Sequence, residues 1–363
     1  MSPQPRQRAR PAARYYCQTL PGLEGIAAEE IAAALPGARL EDSRPGAVYF
    51  AWRGHPAALL RLGTAEDVFA LVARGDVELG RGGLAQAEAL VSAAPGLIDG
   101  VNALRLVRPH KVRQVTFRVV VQRLAGRHEY VRQELGRRVG QAVARRCSRW
   151  KRVEEDATLE LWVLQRGADT TIGVRLSDRT MRHRTYRRAN LPGALRPVLA
   201  RAMVLRSQPA ADDVFLDPMC GTGTILIERG EHSRYHYLLG GDVSPQALTA
   251  ARANIGRRYR PIGLQRWDAT RLPLGAGSVS RIVCNLPFGR RFGAVESLPE
   301  FHRRFLGEAR RVLRAGGLLV LLSGQVHSLP RLLEGQEGLV LRRVEPVLVL
   351  GQRAAILTAA AAA

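Results

Sequence analysis

The sequence predicts an α/β protein: an open, doubly wound sheet with helices on both faces in the C-terminal half, preceded by smaller α+β units. Three observations predict it. From about Leu191 onward, short strand-forming runs alternate with helical patterns, the signature of such a sheet. Two of those runs close in special turns, "DPMCGTG" and "NLPFG". The first half mixes strands and helices without that regular alternation. In doubly wound sheets ligands bind beyond the carboxyl ends of the strands, so the two turns should face one crevice.

The opening "MSPQPRQRARPAAR" is basic with no apolar core behind it, and residues 1–14 are expected to be disordered. No run of eighteen apolar residues occurs, so neither a signal peptide nor a membrane span is expected. Residues 15–58 read as a first small unit: strand "YYCQTL", a helix in "PGLEGIAAEEIAAAL" with Leu23, Ile26, Ile31 and Leu35 at near-helical spacing, and strand "AVYFAW". Residues 59–178 form a second, with strand "QVTFRVVVQR", helix "YVRQELGRRVGQAVARRC" and strands "ATLELWVLQR" and "TTIGVRLS". In that helix Leu135, Val139, Val143 and Cys147 fall four apart on one face, with Arg138, Arg145, Arg146 and Arg149 elsewhere. Residues 179–196 read as a basic linker. The doubly wound domain, 197–363, has strands at "DDVFLDP", "YHYLLGGDV", "GLQRW", "SRIVCNL", "GGLLVLLSG" and "LVLRRVEPVLVL", and helices such as "SPQALTAARANIGRR" and "LPEFHRRFLGEARRVLRAG".

Charge narrows the partner. Lys+Arg number 55 against Asp+Glu 32, a net +23 that points to a polyanion. Nucleic acid suits better than a membrane surface, because no basic amphipathic helix carries large apolar anchors. The surplus is concentrated: residues 101–190 hold 22 Lys/Arg against 8 Asp/Glu. Nearly all of it is arginine, which suits bidentate phosphate contacts but also follows from a coding bias. Cys17, Cys147, Cys220 and Cys284 lie far apart, which argues against a zinc site or a disulfide framework and for a reducing cytosol. No metal is expected.

The chemistry lies in the turns. "DVFLDPMCGTGTILIE" is a strand ending in Asp217, a turn, and a helix starting near Thr224. Gly221 and Gly223 let backbone amides at a helix N-terminus approach an anionic group. No Gly-Lys-Ser/Thr follows, so the turn is not a nucleotide P-loop, and the third glycine of a dinucleotide fingerprint is absent. Asp217, directly before the turn, suits a ligand whose amino group needs an acceptor, as methionine's does. Asp242, closing "LLGGD", stands where a carboxylate holds ribose hydroxyls, and Asp268 in "RWDAT" could accept from an adenine amine. Each acid alone is as well explained as a helix cap or turn residue; three at successive strand ends are not.

In "VCNLPFGRR" a run of strand formers ends in an amide, a proline and an aromatic. An exocyclic base amine is a poor nucleophile because its lone pair is delocalised into the ring. Two acceptors on its hydrogens, the Asn285 side-chain oxygen and the Leu286 carbonyl, would draw the nitrogen toward tetrahedral geometry and free the pair for a methyl group held on a sulfonium. Pro287 stiffens the turn and Phe288 stacks on an extruded base. Positioning supplies most of such catalysis. A covalent mechanism through Cys220 or Cys284 is the weaker alternative, since Cys284 lies inside the strand and no Pro-Cys pair is present.

"DPMCGTGTILIE" followed by "NLPFGRR" resembles motifs I and IV of the class I amino-methyltransferases. With the upstream run "MRHRTYRRANLPGALRPVLARAM", the sequence resembles the THUMP-containing RNA guanine-N2 methyltransferases, especially those acting on guanosine 6 of the tRNA acceptor stem. The likeness is strong over Arg182–Gly324; upstream, only the order of elements agrees. It implies a Rossmann-like class I methyltransferase domain at 197–363, preceded by a ferredoxin-like region at 15–58 and a THUMP region at 59–178 that engages the tRNA 3′ end. It implies S-adenosyl-L-methionine as cofactor, tRNA as partner and a cytoplasmic monomer. By position, Asp217, Pro218, Cys220, Gly221, Gly223 and Thr224 would surround the methionine part. Asp242 would hold the ribose, Asp268 and Ala269 the adenine, and Asn285, Leu286, Pro287 and Phe288 the guanine. Lys151, Arg152, Arg182, Arg184, Arg187, Arg188, Arg290 and Arg291 would touch RNA. The amino-methyltransferases commonly carry proline where this chain has Leu286, a position that still offers a carbonyl. Competing readings are another tRNA position, a ribosomal guanine, adenine-N6 in DNA, a non-catalytic RNA-binding protein, and an NAD-dependent oxidoreductase, which leaves Asn285–Phe288 and the charge unexplained.

Overall fold

The computed structural model describes residues 12–109, 114–288 and 297–362. It divides into two compact units, one holding the residues up to Gln18 and Ile31–Met181, the other Thr19–Glu30 and the residues from Arg182 onward.

The first unit is built on one eight-stranded sheet. Its strands are β1 (Ala13–Gln18), β2 (Arg39–Arg44), β3 (Ala47–Trp52), β4 (Asp67–Asp76), β5 (Thr116–Ala125), β6 (Lys151–Arg152), β7 (Leu159–Arg166) and β8 (Asp169–Arg175), in the order β2-β3-β1-β4-β8-β7-β5-β6. Helices α2 (Gly83–Ser92), α3 (Gly96–Val107) and α4 (Arg132–Arg146) interrupt them, and α1 (Glu24–Ala34), between β1 and β2, has its residues up to Glu30 in the second unit. The parallel pair β5 and β7 is joined through α4, which buries Leu135, Val139 and Val143, the face its spacing predicts. Tyr16 stacks on Phe69 with ring centroids 4.6 Å apart and on Tyr49 at 5.5 Å. The expected boundary at 58/59 falls within this sheet, because ten-residue β4 pairs with β1 on one side and β8 on the other. Separate sheets would leave both of those strand edges open. Ala13 and Arg14 of the expected disordered N-terminus belong to β1; residues 1–11 lie outside the described residues.

A short helix α5 (Arg179–His183) leads to the second unit, whose sheet runs β11-β10-β9-β12-β13-β15-β14. These are β9 (Val214–Asp217), β10 (Tyr237–Asp242), β11 (Ile262–Arg266), β12 (Val279–Asn285), β13 (Leu313–Ser323), β14 (Leu339–Val349) and β15 (Gln352–Ala361). The first five are parallel, and β15 is antiparallel to both its neighbours. Side-chain alternation splits the core in two. Phe215, Val283, Val320 and Leu322 face α6 (Pro197–Arg206), α7 (Thr224–His232) and α8 (Pro245–Ile255). Leu216, Ile282, Cys284, Leu319 and Leu321 face α9 (Leu298–Val312) and α10 (Ser328–Glu334). This doubly wound sheet is the class I methyltransferase-like α/β fold that the sequence predicts. β15 escapes the sequence reading because alanine, five of the ten residues in "QRAAILTAAA", signals strand only weakly.

Candidate active site

The turn after β9 is pinned at every residue. The Met219 N–H donates to Asp217 Oδ1 at 3.3 Å, that of Cys220 to the Gly241 carbonyl at 2.8 Å, that of Gly221 to Asp242 Oδ2 at 2.9 Å and that of Gly223 to the Cys220 carbonyl at 2.7 Å. The Pro218 carbonyl accepts from Trp267 Nε1 at 3.0 Å, and the Thr222 carbonyl accepts from Asn254 Nδ2 at 3.0 Å. Gly221 and Gly223 have φ of +51° and +79°, left-handed values that a side chain would strain. The Gly221 and Gly223 N–H groups are bonded within the turn, to Asp242 Oδ2 and to the Cys220 carbonyl. The amides left for an anionic group belong to the first turn of α7, beginning at Thr224, whose N–H groups have no partner within the helix.

The strand ends bring the three carboxylates to one edge of the sheet. Asp217 is 1% exposed, and burial, reinforced by Asp242, holds its carboxyl well above the usual carboxylate range. Asp242 also accepts the Ser244 N–H at 3.0 Å through Oδ1, just before α8 opens on its Ser244 cap. Asp268 is exposed and uses Oδ1 for Thr270, whose N–H and hydroxyl both lie at 2.8 Å. Beside Gly221 a side chain would meet nothing within 4 Å. A buried carboxylate suited to a cation, an open flank at Gly221 and an exposed carboxylate fit the amino, methionine and adenine parts of S-adenosylmethionine. The Cys220 and Ala269 side chains are buried in the two core clusters, so they shape the turn and the strand end from behind. Thr222 and Thr224 pair through their hydroxyls at 3.2 Å.

β12 delivers the second turn. The ladder to β13 continues one residue past the strand, with the Leu286 N–H donating to the Leu322 carbonyl at 2.9 Å, and Leu286 is buried in the core. Pro287 ends the pairing, and the Phe288 ring lies against Gly324. Asn285 is the telling residue: its side-chain oxygen is buried and has no hydrogen-bond partner among the described residues. A buried acceptor left unmade costs about 1–3 kcal/mol, so its persistence marks a place kept for a donor. Cys220 and Cys284 are both buried, and burial pushes both thiols up, which removes the thiolate that the covalent alternative requires.

The basic residues divide. The stretch expected to be a linker is built into the second unit instead. Glu228 of α7, 1% exposed, accepts from Arg184 Nε at 3.2 Å, the Tyr186 hydroxyl at 2.7 Å and Arg201 Nε at 2.9 Å. A carboxylate buried among Ile225, Leu226 and Ile227 demands such donors. Arg184 is thus tied to Glu228 within the second unit. Arg187 reaches Asn190 at 2.6 Å; Arg182 is half-buried and Arg188 exposed. Lys151 and Arg152 form β6 at the edge of the first unit's sheet, both exposed. Arg152 lines a cavity of about 320 Å³ with Arg132, Gln133, Gly136, Val119 and Glu154. Arg290 and Arg291 lie outside the described residues.

Known proteins match this arrangement. Residues 184–351 match the RMKL-like methyltransferase domain of the UPF0020 family. A tRNA (guanine(6)-N2)-methyltransferase of Thermus thermophilus is 32% identical over 312 residues, 84% of this chain and 87% of that protein. The chain belongs to the tRNA (guanine-N2)-methyltransferase family. The crystal structure of TrmN from Thermus thermophilus superposes with a TM-score of 0.77 at 29% identity, covering 96% of this chain and 99% of that one. A Mus musculus relative, tRNA (guanine(6)-N(2))-methyltransferase THUMP3, is 30% identical over 247 residues, 64% of this chain and 48% of its own length. The chain thus spans about half the length of this mammalian relative. The cofactor of such a methyltransferase domain is S-adenosyl-L-methionine. Sequence reasoning missed Trp267, Asn254 and Glu228, which hold the family's turn and basic run in place through contacts that no local motif announces.

Proposed function

We propose that this chain methylates the exocyclic N2 amine of a guanosine in tRNA, at position 6 of the acceptor stem. The observation that carries the reading is the buried Asn285 Oδ1 at the end of β12, which has no partner among the described residues. With the Leu286 carbonyl it supplies two acceptors for the two N–H bonds of the amine, which localise the nitrogen lone pair. Phe288, half-buried at the mouth, offers a face for the base. When bound, S-adenosylmethionine supplies an electrophilic methyl group on its sulfonium sulfur. The pinned turn at 218–223, Asp217, Asp242 and Asp268 would hold it and fix its orientation, so no reorganisation is needed at transfer. Thermus and mouse relatives named for guanine 6 support the position.

The first unit serves as the RNA-engaging part, with ferredoxin-like and THUMP regions sharing one sheet and Lys151 and Arg152 on its edge. Incubating the protein with S-adenosylmethionine and unmodified tRNA, then digesting and mapping nucleosides by mass spectrometry, tests the proposal. The expected product is N2-methylguanosine at position 6. Methylation of another atom or another position, or none, would contradict it.

A further inference from the structure

The three carboxylates stand at the ends of three adjacent strands, and one side chain touches all three ends. Trp267 directly precedes Asp268. Its Nε1 donates to the carbonyl of Pro218, the residue after Asp217, at 3.0 Å in a buried hydrogen bond. Its ring occupies the space in front of Gly241, the residue before Asp242: a Cβ at Gly241 would lie 2.0 Å from the indole. The ring is 6% exposed and belongs to the core cluster on the α9 side of the sheet.

We infer that Trp267 is a positioning residue that sets the spacing of Asp217, Asp242 and Asp268, and through it cofactor affinity, without touching the cofactor. The inference rests on the reading that these carboxylates hold S-adenosylmethionine. Two features separate this role from that of an ordinary core tryptophan. The N–H is spent on a turn carbonyl, as a buried indole N–H must be spent somewhere, and that carbonyl lies in the turn that carries Gly221, whose flank is open. The ring meets a glycine, so β10 has given up a side chain to let the indole pass under Asp242. Such a brace works at a distance of one residue from each functional group, where small displacements change binding strongly.

Trp267→Phe keeps an aromatic ring under Gly241 and removes the donor to Pro218. Gly241→Ala keeps the donor and pushes the ring. Binding of S-adenosylhomocysteine is measured by calorimetry for wild type, both variants and the double variant, with steady-state methyl transfer alongside. Each single variant is expected to weaken binding about tenfold, the worth of one buried hydrogen bond. The KM for S-adenosylmethionine should rise with it, while kcat at saturation stays within a few-fold. The double variant should fall short of the product of the two, since both act through one ring. A spectroscopic signature follows as well: of four tryptophans, Trp52, Trp150 and Trp162 lie in the first unit and Trp267 in the second. The intrinsic fluorescence change on adding S-adenosylhomocysteine should vanish in Trp267→Phe. If the wild type binds and both single variants bind with wild-type affinity, even at lowered melting temperature, Trp267 is only a core residue and the inference falls. If the wild type does not bind, the cofactor reading itself falls.

Discussion

Asn254 and Thr222 stand 32 residues apart in the chain and are joined by a buried 3.0 Å hydrogen bond from Asn254 Nδ2 to the Thr222 carbonyl. The same amide grips the basic run. Its Oδ1 accepts the Arg188 and Ala189 N–H groups at 2.9 and 2.8 Å, and its Nδ2 also donates to the Ala189 carbonyl at 3.0 Å. One side chain on α8, 2% exposed, thereby ties the turn at 218–223 to the backbone of Arg188 and Ala189.

Asn254→Ala should therefore destabilise the protein by about 2–4 kcal/mol, since it leaves buried backbone groups on two segments without partners. It should also weaken S-adenosylhomocysteine binding. Urea unfolding and calorimetry on the same preparation check both; a loss of stability with unchanged binding would mean the turn holds its shape without Asn254.

Glu228→Gln should cost about 3 kcal/mol or more. It neutralises a buried carboxylate while Arg201 and Arg184 stay in place. Tyr186→Phe should cost less, since burial and the neighbouring Glu228 keep the phenol protonated and only one donor is lost. Arg184→Ala belongs with these stability variants. If the basic run also meets RNA, the contacts fall to residues such as Arg187 and Arg188, and replacing that pair should flatten the dependence of log K for tRNA on log salt by up to about one unit per phosphate lost. Titrations at several salt concentrations decide between this and a purely structural segment, for which the slopes would coincide.

How much of this was readable in advance depends on the range of the interaction. Asp217, Asp242 and Asn285 each end a largely apolar strand and Asp268 follows β11 by two residues, so their placement at the sheet's carboxyl edge follows from the strand pattern and the α/β rule alone. Trp267 and Asn254 act across tens of residues. In sequence, one is an aromatic at a strand end and the other a polar residue in a helix, and nothing local sets them apart. Glu228 did carry a signal: an acid flanked by Ile225, Leu226 and Ile227 on a core helix must find donors, and "HRTYR" upstream contains them. The charge run reads as solvated linker only when that need is overlooked. The edge strand "RLEDSR" was unreadable for the opposite reason, since natural edges are blunted with charge.

His232 accepts from Arg201 at 3.2 Å, and burial, with Arg201 and Arg229 nearby, lowers its pKa to about 4. The folded state thus resists a proton that the unfolded chain takes up near pH 6.5. The stabilisation is complete above that pH and is lost as pH falls from 6.5 toward 4, by roughly 1–2 kcal/mol after allowance for partial exposure. Melting temperatures of wild type and His232→Gln across this window should converge as pH falls. Parallel curves would show that His232 does not titrate in this way.

Asp217 behaves in the opposite sense. Burial raises its pKa, and an incoming ammonium group favours the charged carboxylate. S-adenosylhomocysteine binding should strengthen as pH rises through that pKa and should release a proton, seen as a buffer-dependent heat. 5′-Methylthioadenosine, which lacks the amino acid, should show neither effect. Equal pH dependence for the two ligands would move the amino group away from Asp217.

The central claim is that Asn285 Oδ1, buried and without a partner among the described residues, is kept for the amine that receives the methyl group. The most direct measurement is single-turnover methyl transfer to tRNA by wild type and Asn285→Ala, with S-adenosylhomocysteine affinity determined for both. Losing one such acceptor should slow transfer on the order of 10²–10³-fold while cofactor affinity stays within a few-fold. Transfer at near wild-type rate by Asn285→Ala would contradict the account.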